Sequence, residues 1–81
     1  MTVIAKTEEE WAERLRAYIK AELKKADMGY VELAKRLKKH GFKDETEASI
    51  TNKLKRGTFS AIFLLATLAA LEAEGVRLED L

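Results

Sequence analysis

No proline interrupts the 81 residues, and the four glycines stand at positions 29, 41, 57 and 75. The stretches between them are rich in Ala, Leu, Glu and Lys, residues that lose little conformational freedom in a helix. Such a chain has few places other than its glycines at which a helix must stop. It is therefore expected to be all-α, a compact domain of four to five helices with breaks near those glycines. A chain of this length holds one domain with a modest core. No repeat or linker divides it, so residues 7–81 read as a single helical domain and residues 1–6 (MTVIAK) as a mobile N-terminal arm.

Thr7, with Glu10 three residues on, makes a capping box, and Glu8 to Glu10 place negative charge at the positive end of a helix dipole, so helix 1 starts there. Trp11, Leu15, Tyr18, Ile19 and Leu23 recur at spacings of three and four and form one apolar stripe. Glu13, Arg14, Arg16, Lys20 and Lys24 are expected to stay off it. Asp27-Met28-Gly29 ends this pattern, and Gly29 leads into a second helix from Tyr30 to His40. There Leu33, Ala34 and Leu37 face inward, and Lys35, Arg36, Lys38 and Lys39 outward. Gly41 stops this helix, with Leu37 and Phe42 at the two positions whose contact closes a Schellman motif.

The third helix, about residues 45–56, is the short basic element on which a functional reading turns. Asp44 is expected to cap it, with Glu47 at the third helical position, and Gly57 to end it. At ~100° per residue, Ile50 and Leu54 point one way, while Ser49, Asn52, Lys53 and Arg56 fall together on the far side. Phe59, Ser60 and Leu64 then occupy the positions of a hydrophobic staple that opens helix 4. From Ile62 to Leu71 that helix is apolar around most of its circumference, which marks it as a central core helix or as part of a subunit contact. Gly75 is expected to end it, with Leu71 and Val76 in contact across the end. Val76, Leu78 and Leu81 of the tail are left to cover the core or a partner.

The net charge of +1 conceals an asymmetry. Residues 1–29 are neutral in sum, residues 30–57 carry eight basic and four acidic side chains, and residues 58–81 carry one and four. A basic centre beside an acidic tail suits one face to a polyanion, although lysines on helix faces also serve solubility alone. Enzymatic chemistry finds little to work with, and the chain is not expected to be an enzyme. There is no glycine-rich phosphate loop and no nucleophile paired with a base, and the one histidine, His40, sits where it favours a helix C-terminus. Without cysteine and with one histidine, no metal site and no cofactor are expected. The longest apolar run, Ala61 to Leu71, has 11 residues. A bilayer needs ~20, and no signal peptide is recognised, so a cytoplasmic protein without membrane contact is expected.

Tyr30-Val31-Glu32-Leu33-Ala34-Lys35-Arg36-Leu37, a glycine-containing turn, Ile50 to Gly57, and a capped apolar helix running to Gly75-Val76 follow one another in order. That order resembles the phage-repressor helix-turn-helix class of the Cro/CI type. Leu33-Ala34 matches the Leu-Ala pair of its second helix, and Arg56-Gly57 the basic residue and glycine that end its third. The resemblance covers about residues 12–81 and implies helix 3 in the major groove and a two-fold dimer. The path from Gly41 to Ile50 takes nine steps, about three more than the compact turn of that class, so an altered angle of helix 3 is expected. The chain also resembles, over nearly its whole length, a small bacterial family of uncharacterised domains. Its members share an E-W-A-like start, here Glu10-Trp11-Ala12, and the run N-K-x-x-R-G-x-F-S-A, here Asn52 to Ala61, followed by Phe63-Leu64-Leu65. This second likeness implies a shared fold and no established activity.

Together these features lead to the expectation of a transcriptional regulator that binds double-stranded DNA as a homodimer. Ser49, Asn52, Lys53 and Arg56 are the candidate base contacts, with Asn52 suited to adenine, Lys53 or Arg56 to guanine, and Ser49 to a base or a phosphate. Lys43, Lys55 and Thr58 flank them as candidate phosphate contacts. The alternative is a protein-interaction or dimerisation module that uses helix 4 and the C-terminal tail and binds no DNA.

Overall fold

The computed structural model describes residues 5–73, 75–78 and 81, and the helices among them are α1 (Glu8–Lys25), α2 (Tyr30–Lys39), α3 (Glu47–Arg56) and α4 (Ala61–Ala70). Three of the four open on a hydroxyl that accepts a backbone N–H: Thr7 from Glu10, Thr46 from Ser49 and Ser60 from Phe63, at 3.0, 3.1 and 3.1 Å. Each satisfies one of the donors that a helix start leaves unpaired. The Glu10 carboxylate reaches back, as expected of a capping box, but to the N–H of Lys6 at 3.0 Å. Gly29 enters α2 without a side-chain cap.

The helix ends show why some boundaries were legible and others not. At the end of α2, Gly41 adopts φ +94° and the Phe42 N–H donates to Leu37 O at 3.0 Å, the closure expected from those residue types. The same arrangement closes α1 and α4 on residues with a side chain. Asp27 (φ 53°) and Glu72 (φ 60°) take the left-handed conformation, while Met28 N–H donates to Leu23 O and Ala73 N–H to Leu68 O, both at 2.9 Å. The fourth helix was expected to run to Gly75; it stops at Ala70 instead. The left-handed conformation costs ~1–2 kcal/mol for a non-glycine residue, and at Glu72 two backbone hydrogen bonds to α4 carbonyls offset it.

α2 is the element against which both α3 and α4 pack, and α1 lies against α3. The core gathers Ile19 and Leu23 from α1, Leu33, Ala34 and Leu37 from α2, Ile50 and Leu54 from α3, and Phe63 and Ala70 from α4, with Met28 sealing the first turn. Phe63 is its aromatic centre. The rings of Phe42 and Phe59 meet it edge-on, with centroids 5.7 and 5.3 Å away. Thr67, fully buried beside it, is satisfied by donating to Phe63 O at 2.9 Å. Among the described residues, no buried side-chain nitrogen or oxygen lacks a partner, and no helix is long and apolar enough to cross a membrane.

Two arginines expected on solvent-facing sides turn inward. Arg16 of α1 donates through Nε to Leu54 O at 2.7 Å, and Arg36 of α2 through Nη1 to Ala70 O at 3.1 Å, while its Nε pairs with Glu32 at 3.3 Å. Each brings a cation to the negative C-terminal end of a later helix. Residues 1–4 of the expected mobile arm lie outside the described residues; of the remainder, Ala5 is buried and Lys6 is tied to Glu10. In the tail, Val76 and Leu81 are half-buried and Leu78 is exposed, with Tyr18 Oη donating to Gly75 O at 3.4 Å.

Candidate nucleic-acid interface

α3 is set in place by its own first turn and by the seven residues, 40–46, that lead into it. Asp44 was expected to cap the helix, but it is exposed and the cap is Thr46. The box is completed by Ser49 at the third helical position, not by Glu47: Ser49 Oγ accepts the Thr46 N–H at 2.8 Å. A hydroxyl does here what a carboxylate was expected to do, because the cap lies two residues later than Asp44 and puts Ser49, not Glu47, at the third helical position.

Glu45 is only 7% exposed. One of its oxygens accepts a hydrogen bond from Ser49 Oγ at 2.6 Å, and the other pairs with Lys53 Nζ, which also lies 4.5 Å above the centre of the Phe63 ring. Burial alone pushes the Glu45 carboxyl up. The hydrogen bonds from Lys53 and Ser49 and the Lys53 charge together outweigh that, and hold it below the ordinary carboxylate range. A buried, ionised carboxylate thus ties the approach to α3 to two of its turns, while Ile50 and Leu54 sit in the core, and together these fix how α3 is rotated about its own axis.

That rotation divides the four candidate base contacts. Ser49 and Lys53 are half-buried and committed to Glu45, whereas Asn52 and Arg56 are exposed. The side of α3 that faces solvent carries Glu47, Ala48, Thr51, Asn52, Lys55 and Arg56, with the acid confined to the first turn. Thr51 is exposed, and its Oγ1 donates to Glu47 O at 2.8 Å. The candidate phosphate contacts Lys43, Lys55 and Thr58 are all exposed. Lys55, Arg56 and Thr58 line a shallow cleft with Glu8, Glu9, Ala12 and Arg16 of α1, so acidic groups stand close to this end of the basic surface.

The contact between α1 and α3 at that cleft is backbone-close. Gly57 ends α3 at φ +70°, and a β-carbon built there would lie 2.4 Å from Ala12 Cβ. Glycine is therefore required twice over, for the conformation and for the approach. The sequence reading missed Glu45, which stands before the cap Thr46 and outside α3, where helical spacing does not link it to Ser49 and Lys53. It also missed Arg16 and Arg36, for which no local signal exists. Among the described residues no cluster of His, Asp and Glu is arranged to hold a metal ion.

No curated protein and no solved structure matches the chain significantly. The model of one family, described as a domain of unknown function, DUF6471, matches residues 11–76, a span that takes in all four helices from Trp11 of α1 through the end of α4. The uncharacterised family anticipated from Glu10-Trp11-Ala12 and the run from Asn52 to Ala61 thus has its counterpart, and the chain belongs to the DUF6471 family.

Proposed function

We propose that this protein is a DNA-binding transcriptional regulator that inserts α3 into the major groove. The observation that carries the reading is the solvent-facing side of α3 from Thr51 to Arg56, continued by Thr58 just past its end. It presents Thr51, Asn52, Lys55, Arg56 and Thr58, all exposed, with no acidic residue in that stretch. The order of elements from Tyr30 to Gly57, which resembles the phage-repressor class, supports the same docking mode. Asn52 is suited to an adenine edge, Arg56 to guanine O6 and N7, and Thr51 to a thymine methyl. Lys43, Lys55 and Thr58 fit phosphates on either side. Ser49 and Lys53 act from behind, by holding α3 in the orientation that offers this surface.

Selection of bound fragments from random duplexes, followed by salt titration of the selected sequence, tests the proposal. Lys55→Ala is expected to weaken binding to all sequences alike and to flatten the dependence of log K on log salt by ~0.9. Asn52→Ala is expected to cost ~1–3 kcal/mol and to relax preference at one base pair, with the salt slope unchanged. Absence of binding to any duplex at low salt would end the proposal. So would binding indifferent to Asn52, Lys55 and Arg56.

A further inference from the structure

The outer side of α4 is uncovered. Ile62 is 70% exposed and Leu65 66% exposed, and Ala61 and Ala69 beside them are exposed too, so one side of an uncharged helix faces solvent. The termini of this helix also differ from the others. α1, α2 and α3 each carry an acidic residue in the first turn, whereas α4 carries none, and the first acidic residue near it, Glu72, stands just past its opposite end. The C-terminal end of α4 is already supplied with a cation, Arg36. Only its N-terminal end lacks a compensating charge.

We infer that this face binds a second copy of the chain, with the two α4 helices antiparallel about a two-fold axis that passes beside Leu65. In that arrangement Leu65 meets its own copy near the middle of the helix. Ile62 lies across from the Ala69 of the second copy, large against small, and Ala69 across from its Ile62. Glu72 of each copy reaches the N-terminal end of the other's α4, the end without its own carboxylate, and the two helix dipoles oppose one another. A parallel pairing would instead set Glu72 against Glu72 and one N-terminus against the other. The uncharged helix pays no like-charge penalty on meeting itself, and a two-fold contact needs such a self-complementary patch. The contact area is that of one helix pair, below the ~800 Å² per partner of a standard interface, so the dimer belongs to the weak, concentration-dependent class. This inference rests on α4 alone and stands whether or not α3 binds DNA.

Sedimentation equilibrium of the full chain, from low micromolar to submillimolar concentration and without DNA, tests it. The wild type is expected to pass from monomer to dimer. Leu65→Lys and Leu65→Glu are each expected to weaken association by roughly 30-fold or more, the scale of losing a central anchor. Because Leu65 is exposed, both variants are expected to keep the helical content and thermal transition of dilute wild type. An equimolar mixture of the two is expected to dimerise again, which only a contact of residue 65 with its own copy allows. Glu72→Gln is expected to raise Kd about 2- to 5-fold at low salt. A wild type that stays monomeric throughout overturns the inference, as does a dimer indifferent to Leu65→Lys or a mixture that does not associate. A dimer sensitive to Leu65 but untouched by Glu72→Gln overturns the antiparallel arrangement.

Discussion

α3 and α4 have the same length, and each opens on a hydroxyl that accepts the N–H three residues on. Their outer surfaces have opposite chemistry. α3 turns a narrow apolar edge, Ile50 and Leu54, into the core and carries polar and basic groups outside; α4 buries Phe63, Thr67, Leu68 and Ala70 and still exposes Ile62 and Leu65. An amphipathic helix is explained once its inner edge is covered. An apolar one is explained only on the side that is covered, and the remainder calls for another surface. A helix's composition therefore identifies what it buries in the first case and overstates it in the second.

The sharpest way to break this comparison is to remove one side chain from each side of α4. Phe63→Ala takes away the ring that Phe42 and Phe59 meet edge-on and is expected to cost ~3–5 kcal/mol by denaturant titration. That is a large share of the ~4–12 kcal/mol expected for a domain of this size. Ile62→Ala, one residue away, is expected to stay within ~0.5 kcal/mol at dilute concentration. Equal losses at the two positions would mean that the outer side of α4 is not free. The end of α3 offers the next largest effect. Gly57→Ala drives a methyl into Ala12 at a positive φ and is expected to cost ~2–4 kcal/mol, from overpacking and conformation together. Gly41→Ala, also at positive φ but with open space around it, is expected to cost only the conformational ~1–2 kcal/mol.

Much of the outline is readable within a few residues of chain. Thr7, Ser60 and the Leu37-Gly41-Phe42 closure involve partners no more than five residues apart, so residue type and spacing suffice to find them. The orientation of α3 is not of that kind. Ser49 and Lys53 look like part of a donor-rich outer face until Glu45 is known to be buried, and Lys53 is held inward by Phe63 of α4 as well, ten residues further along the chain. Asn52 and Arg56 share the same polar arc in sequence, yet only they and Lys55 remain available on the basic side. The end of α4 escaped for a related reason: a glutamate in the left-handed conformation carries no compositional mark.

Glu45 gives the smaller tests, which sharpen the account of α3. Glu45→Ala leaves Lys53 without its partner, and because Lys53 keeps some contact with water the expected cost is ~1–2 kcal/mol, less than for a fully buried pair. Its acidity supplies a second signature. The folded carboxyl titrates below its unfolded value, so the stabilisation is fully present above the ordinary carboxylate range and is lost as pH falls through the lowered folded value. Stability measured across that acidic interval is expected to fall less steeply in Glu45→Gln than in wild type. Identical slopes would show that Glu45 contributes nothing through its charge.

The two inward-turned arginines carry an implication for how the chain is assembled. Arg16 and Arg36 stand 38 and 34 residues before the carbonyls that they serve. During synthesis the N-terminal half emerges already holding the guanidinium groups that α3 and α4 will need when they arrive. All four helices are closed by backbone hydrogen bonds of their own, but only the ends of α3 and α4 also receive a guanidinium from an earlier helix. A fragment beginning at α3 would consequently lose the arginine hydrogen bonds at Leu54 O and Ala70 O, whereas one ending after α2 would lose no hydrogen bond to its own helix ends, a directionality that suits folding from the N-terminus as the chain leaves the ribosome.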